Sequence, residues 1–284
     1  MKSTKITAVV FAKNEEQRLP LIFENLSNFS EIVVFDGGST DHTRELCDLH
    51  GVQFISRPPE NRHTVAADAK FVWAHVKTPY VLAVNCSHYY PRLLLDECKR
   101  IAEEGRYKAV YHDVVIYTYG QVVHRPFFRR RSSACNFYHV GVVNFENSKV
   151  HNETPVEARP EDRRVLPAKD EYAIHLFRDY DVAKAEANHS FYGDQDAKFR
   201  FESGVRANLW SMIWRPVKYF LHQYMRCGSI KYGTAGFVYA ALFAQLEMNI
   251  QFKIWELQNQ HQLRQLIRKN LSLREAMYKS ESMQ

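Results

Sequence analysis

Between residues 6 and 104 short apolar runs alternate with amphipathic stretches, and no other feature of the chain narrows its fold as much. Residues 6–11 form an apolar run interrupted only by Thr7, as a strand buried on both faces requires. In 15–29, Leu19, Ile22, Phe23, Leu26 and Phe29 share one helical face, and Pro20 lies early enough for a first turn. Residues 32–35, 52–56 and 80–84 read as further strands. Ser39, Thr40 and Asp41 can cap a helix running to Leu49, and 65–76 and 91–104 have helical apolar spacing. This alternation predicts an α/β fold: an open, mostly parallel sheet flanked by helices, with ligands at the carboxyl ends of its strands.

The pattern then changes. Residues 109–118 and 121–131 predict two β segments around Tyr119-Gly120, and 139–145 another strand. The polar, proline-bearing 149–169 reads as a loop, and 172–177 as a return to the sheet. From Asp181 onward nearly everything predicts helix, with breaks near Gly204 and Gly228. The expected organisation is an α/β domain over 1–180 and a helical region over 181–284.

Two stretches fall on the expected ligand edge. Phe11-Ala12-Lys13-Asn14-Glu15-Glu16 closes the first strand, and Asp36-Gly37-Gly38-Ser39-Thr40-Asp41 closes the second. Paired glycines let the backbone turn tightly and approach a ligand. An ionised Asp36 can accept hydrogen bonds from a base or a ribose hydroxyl. Either stretch alone could be an ordinary strand end, turn and helix cap.

Taken together, the two stretches resemble the family-2 glycosyltransferases of the GT-A fold. Ala12, Lys13, Asn14 and Glu15 match the family's first motif, with Phe11 in place of its usual proline. Asp36, Gly38, Ser39, Thr40 and Asp41 match its second. The resemblance implies a nucleotide-sugar donor, a UDP-sugar foremost, held by Phe11, Ala12, Lys13, Glu15, Asp36, Gly38 and Ser39. Arg215-Pro216, Tyr219-Phe220 and Tyr224, with the glycines after them, resemble the bacterial subgroup that builds lipopolysaccharide core and other cell-surface polysaccharides. That likeness implies a glycan or lipid-linked acceptor. It also makes Glu153 and His151 the catalytic candidates, within His151-Asn152-Glu153, with Asp113 a fallback base and His175 a second subgroup histidine.

The chain departs from the family at the metal motif. Where an Asp-x-Asp is usual, it has Asn85-Cys86-Ser87-His88. Mg²⁺ and Mn²⁺ take carboxylate oxygens by preference, and Asn85 and Ser87 offer neutral ones, with a single imidazole from His88. Three readings follow. In the first, arginines replace the metal at the diphosphate, with Arg62, Arg129 and Arg131 as candidates, since guanidinium groups grip phosphate oxygens bidentately. In the second, Asn85 and His88 hold Mn²⁺ or Mg²⁺ carried in by the donor. In the third, the chain is a non-catalytic relative that binds nucleotide-sugar or glycan. The alternative for the arginines is a solvated strand end.

The net charge of +6 suits anionic partners. No nucleic-acid recognition motif accompanies it, so nucleic acid is not an expected partner. Five cysteines without paired metal or redox spacing point to a reducing compartment. Residues 1–5 are short and polar, and no run of 18 apolar residues occurs, so a cytoplasmic enzyme is expected. Aromatic and basic residues of 206–255 suggest contact with the inner face of the membrane, against the alternatives of an ordinary packed helix pair or a dimer interface.

Overall fold

The computed structural model describes residues 2–58, 71–118, 121–123, 134–143, 156–178 and 182–281. The chain forms two compact units, Met1–Tyr180 and Asp181–Gln284.

The first unit opens with β1 (Ser3–Ala12), α1 (Leu19–Leu26), β2 (Ser30–Asp36), α2 (Thr43–Leu49) and β3 (Gln53–Ser56). A helical turn at 71–75 precedes β4 (Tyr80–Asn85), β5 (His88–Tyr89) and α3 (Arg92–Glu104). Then come β6 (Ala109–His112), β7 (Val114–Thr118), β8 (Gln121–Val123), β9 (Ala134–His139), β10 (Arg163–Val165) and β11 (Ile174–Arg178).

Seven strands make the main sheet in the order β10-β6-β9-β4-β1-β2-β3. Its parallel pairs are β1 with β2 and with β4, β2 with β3, and β10 with β6. β9 runs against both of its neighbours. β1 shows why the run is apolar apart from Thr7, whose buried hydroxyl meets that of Thr78 at 2.8 Å. Ala8, Val10 and Ala12 pack into one hydrophobic cluster with Ile22, Leu26 and Ile101, while Val9 packs into another with Phe35 and Val81 on the opposite face. Successive strand side chains point to opposite faces, so a sheet covered on both sides favours apolar residues at nearly every position. Each large apolar side chain so buried stabilises the fold by about 1.5–3 kcal/mol.

The later strands differ from the sequence reading. The β run of 109–118 is two strands, not one, and they belong to different sheets. β6 joins the main sheet, and after Asp113 β7 joins a four-stranded sheet ordered β5-β11-β7-β8. β11 pairs with β7 and β5 and so does not return to the main sheet. The strand expected at 139–145 lies earlier, at Ala134–His139. It ends where the His139 ring accepts from the Gly141 N–H at 3.0 Å and a 3₁₀ turn, Val140–Val142, begins. The expected loop of 149–169 contains β10, a three-residue edge strand.

The second unit is helical: α4 (Val182–Glu202), α5 (Leu209–Leu221), α6 (Gly233–Gln258) and α7 (Gln260–Glu281). The helices break at Gly204 and at Gly228, both with positive φ. Around its core of Ala197, Ala207, Ile250 and Ile254 lies one buried carboxylate, Glu247 of α6. Arg200 of α4 reaches it at 2.9 Å, Arg215 of α5 at 3.3 Å, and Gln251 of α6 at 3.0 Å. One group thereby ties three helices.

Candidate functional site

Register aligns the carboxyl ends of four parallel strands. Ala12 of β1 is paired with Asp36 of β2, Asp36 with Ser56 of β3, and Phe11 with Asn85 of β4. Both sequence motifs therefore stand side by side on the edge where open α/β sheets bind ligands.

The motifs bind each other. The Gly37 N–H donates to the Ala12 carbonyl at 2.8 Å. Asn14 adopts positive φ, 56°, its N–H donating to Ser39 Oγ at 2.8 Å while its Oδ1 accepts from the Thr40 N–H at 2.8 Å. The Glu15 N–H donates to Thr43 Oγ1 at 3.0 Å and the Glu16 N–H to Asp41 Oδ2 at 3.1 Å. Glu16 in turn accepts from the His42 N–H and ring, at 3.1 and 2.8 Å. That contact raises the His42 pKa above its usual value and lowers that of Glu16. Residues whose types looked like ligand chemistry are thus first of all the staples of two loops.

Asp36 illustrates the point. It is buried, and its carboxylate accepts from the Gly38 N–H at 2.7 Å, the Ser39 N–H at 3.1 Å and the Ser39 hydroxyl at 2.5 Å. An ionised carboxylate has about four acceptor sites, so the turn leaves capacity for a ligand donor. Gly38 has φ of 90°, which a residue with a Cβ adopts only under strain. Glu15 is held by Arg18, at 2.7 and 2.9 Å. Lys13 is exposed, and Phe11 packs against Phe35 with ring centroids 6.4 Å apart.

Arg57, immediately after β3, was missed by the sequence reading. Its guanidinium carbon stands 5.6 Å over the Phe11 ring. A Cβ on Gly37 would come within 2.8 Å of its Nη2, so glycine there leaves room for the guanidinium. Nothing short of the register of β2 and β3 marks this arginine. Arg62, Arg129, Arg131, His151 and Glu153 lie outside the described residues.

The four residues at the altered metal motif do not fit a hard cation. Asn85 is exposed, and the Ser87 carbonyl accepts from the Phe177 N–H at 2.8 Å. Burial raises the Cys86 pKa far above the usual thiol range, so this side chain stays protonated. Tyr90 donates to the Ala83 carbonyl at 3.3 Å, and its hydroxyl lies 3.1 Å from His88 Nδ1. Among the described residues no cluster of three His, Cys, Asp or Glu could hold a metal ion. His175, the second histidine implied by the resemblance, contacts Tyr117 Oη at 2.9 Å and the Asp170 carbonyl at 3.0 Å.

Burial pushes the His88 pKa down to about 4 from 6.5, with nearby His112 adding to the shift. A histidine with a depressed folded-state pKa takes up protons more readily when unfolded. Its contribution is therefore present above pH 6.5 and is lost as pH falls from 6.5 toward 4. The size at the acid end is about 3 kcal/mol at 1.36 kcal/mol per pH unit. Urea unfolding at pH 7.5 and 5.0 should show wild type losing more stability on acidification than His88→Gln; equal losses would contradict this assignment.

The model of the family "Glycosyl transferase family 2" matches residues 7–158, more than half of the chain and all of the strand-edge motifs. The chain belongs to glycosyl transferase family 2. It is a glycosyltransferase of that family, with an added helical unit at its C-terminal end. A Rhizobium meliloti protein described as "Lipopolysaccharide core biosynthesis glycosyltransferase LpsC" is 25% identical over 88% of this chain and 92% of that one. Among solved structures, the Pyrobaculum calidifontis mannosyltransferase PcManGT, in complex with GDP-Man and Mn²⁺, is 11% identical, with a TM-score of 0.49 over 88% of this chain and 86% of that one. Glucosyl-3-phosphoglycerate synthase from Mycobacterium tuberculosis, in complex with Mn²⁺, UDP-glucose and phosphoglyceric acid, is 20% identical, with a TM-score of 0.32. That match covers 39% of this chain and only 44% of the synthase. No helix of the described residues is long and apolar enough to cross a membrane.

Proposed function

We propose that the strand edge at Ala12, Asp36, Ser56 and Asn85 binds the nucleotide of a nucleoside-diphosphate sugar. The chain would pass the sugar, with inversion, to a glycan or lipid-linked acceptor in lipopolysaccharide or related cell-surface polysaccharide synthesis. The observation that carries this reading is the interlocking of the two motif loops at four aligned strand ends. Family membership and the LpsC relative support the reaction class.

In this reading Phe11, Arg57 and the Asp36-Gly37-Gly38-Ser39 turn form the seat of a base and ribose, a uridine donor being expected first. The remaining lone pairs of Asp36 accept from the ligand. Glu153, with His151 as its alternative, takes the acceptor hydroxyl proton as the hydroxyl oxygen bonds to the anomeric carbon. The bond from that carbon to the donor phosphate breaks, and its electron pair leaves on the diphosphate. Arg62, Arg129 and Arg131, with Lys13, would balance that charge without a metal ion. The enzyme would work in the cytoplasm, peripherally on the inner face of the cell membrane, where such acceptors are anchored.

The test is nucleoside diphosphate release from UDP-, GDP- and dTDP-sugars, with and without truncated lipopolysaccharide core, in EDTA and in Mn²⁺. Acceptor-stimulated release from one donor in EDTA is expected. Release that appears only with Mn²⁺ would sink the metal-free part, and no release from any donor would remove the transfer reading for these substrates.

A further inference from the structure

The exposed face of α5 carries an aromatic stripe. Leu209, Trp210, Ile213, Trp214, Val217 and Leu221 are each between 42% and 75% exposed. At about 100° per residue they occupy one arc of about 140° along the helix. Trp210 and Trp214 stack with centroids 5.9 Å apart and planes 10° apart. Outside that arc the helix is anchored to its unit: Pro216 is buried, Met212 packs on the helical core, and Arg215 reaches Glu247. The helix start is fixed by a reciprocal cap, with Asn208 accepting from the Ser211 N–H at 2.8 Å and Ser211 Oγ accepting from the Asn208 N–H at 2.9 Å. The stripe is therefore held on a formed helix. Contiguous exposed apolar surface of this kind marks an interaction site.

The charge of the segment that carries the stripe indicates its occupant, although Glu256 of α6 lines a shared cavity with Leu209. Between Glu202 and Glu247 the sequence has no acidic residue and five cations. Arg215 serves Glu247, and Arg206, Lys218, Arg226 and Lys231 are exposed. Tryptophan favours the headgroup zone of a bilayer, and cations near it are drawn to anionic lipid, each with an effect that salt screens.

We propose that this face of α5 docks on an anionic lipid surface, with Trp210 and Trp214 inserted at headgroup depth and Lys218 and Arg226 against lipid phosphate. The inference deepens the functional reading by naming the surface that would bring the enzyme to a membrane-anchored acceptor. It is tested without turnover, so its failure and that of the transfer reading can be told apart.

The experiment is co-sedimentation of the full chain with vesicles of phosphatidylethanolamine and phosphatidylglycerol, beside phosphatidylcholine vesicles, at 0.1 and 0.5 M NaCl. Wild type should bind the anionic vesicles at least tenfold better than the neutral ones and release at high salt. Trp210→Ser with Trp214→Ser, and separately Lys218→Glu with Arg226→Glu, should each lower binding at least tenfold with the melting temperature unchanged. Failure of wild type to bind, or undiminished binding by both variants, would overturn the proposal. So would a tryptophan variant that turns a dimer into a monomer on a sizing column while vesicle binding persists, since the face would then belong to a second copy of the chain.

Discussion

Replacing Glu247 with alanine is expected to lower the stability of the helical unit by about 3 kcal/mol, at the low end for removing one partner of a buried ion pair. The carboxylate is 1% exposed, and its partners Arg200 and Arg215 are 20% and 40% exposed. Arg200 keeps Asp196 at 2.7 Å, and Arg215 is near enough to water to be partly rehydrated, which is why the effect should not reach the top of the range. A buried pair can also be neutral relative to apolar residues of similar volume. Glu247→Leu with Arg200→Met should therefore recover most of the loss. Tryptophan fluorescence in urea follows this unit selectively, because Trp210, Trp214 and Trp255 lie in it and only Trp73 lies outside. A loss under 1 kcal/mol for the single variant would show that water, not the arginines, satisfies Glu247.

Asp36→Ala is expected to reduce kcat/KM at least about a hundredfold, the loss that displacement of a site by about an ångström can cause. The carboxylate holds the Gly38 and Ser39 N–H groups and the Ser39 hydroxyl, and Ser39 in turn holds Asn14 of the other loop. Losing it removes the acceptor of its own turn and frees the Ser39 hydroxyl to which the Asn14 N–H donates, at a cost of about 2 kcal/mol for hydrogen bonds to a charged group. Asp36→Asn separates two roles. It keeps one acceptor oxygen and the side chain's shape, so the turn should largely survive. If Asp36 also accepts from the nucleotide, the Asn variant should still lose affinity despite a near-native melt. Native kinetics in both variants would remove Asp36 from the site.

These two residues also show what the sequence could and could not reveal. Asp36 stands out because the apolar run of β2 stops there and glycines follow, and the parallel alternation of 6–104 places it on the ligand edge. What the pattern hides is its partners: nothing in the spacing says that Asp36 caps its own turn, that Glu15 holds Arg18, or that Asn14 and Ser39 join the loops. Arg57 is similarly invisible, since only strand register sets it over Phe11. Beyond residue 104 legibility falls for physical reasons. Residues 109–118 look like one strand because β propensity does not record a switch between sheets at Asp113. β10, with two arginines in three residues, looks like loop because an edge strand need not be apolar. Glu247 is a single acid in an aromatic helix, and its role depends on cations 32 and 47 positions away.

The most direct test of the strand edge as a nucleotide site independent of metal is a calorimetric titration of the full chain with UDP, GDP and dTDP, each in EDTA and in Mn²⁺, beside Asp36→Ala. One nucleotide is expected to bind at least tenfold more tightly than the others, equally in EDTA and Mn²⁺, and the variant to lose this binding. Absence of binding by all three, or binding that requires Mn²⁺, would contradict it.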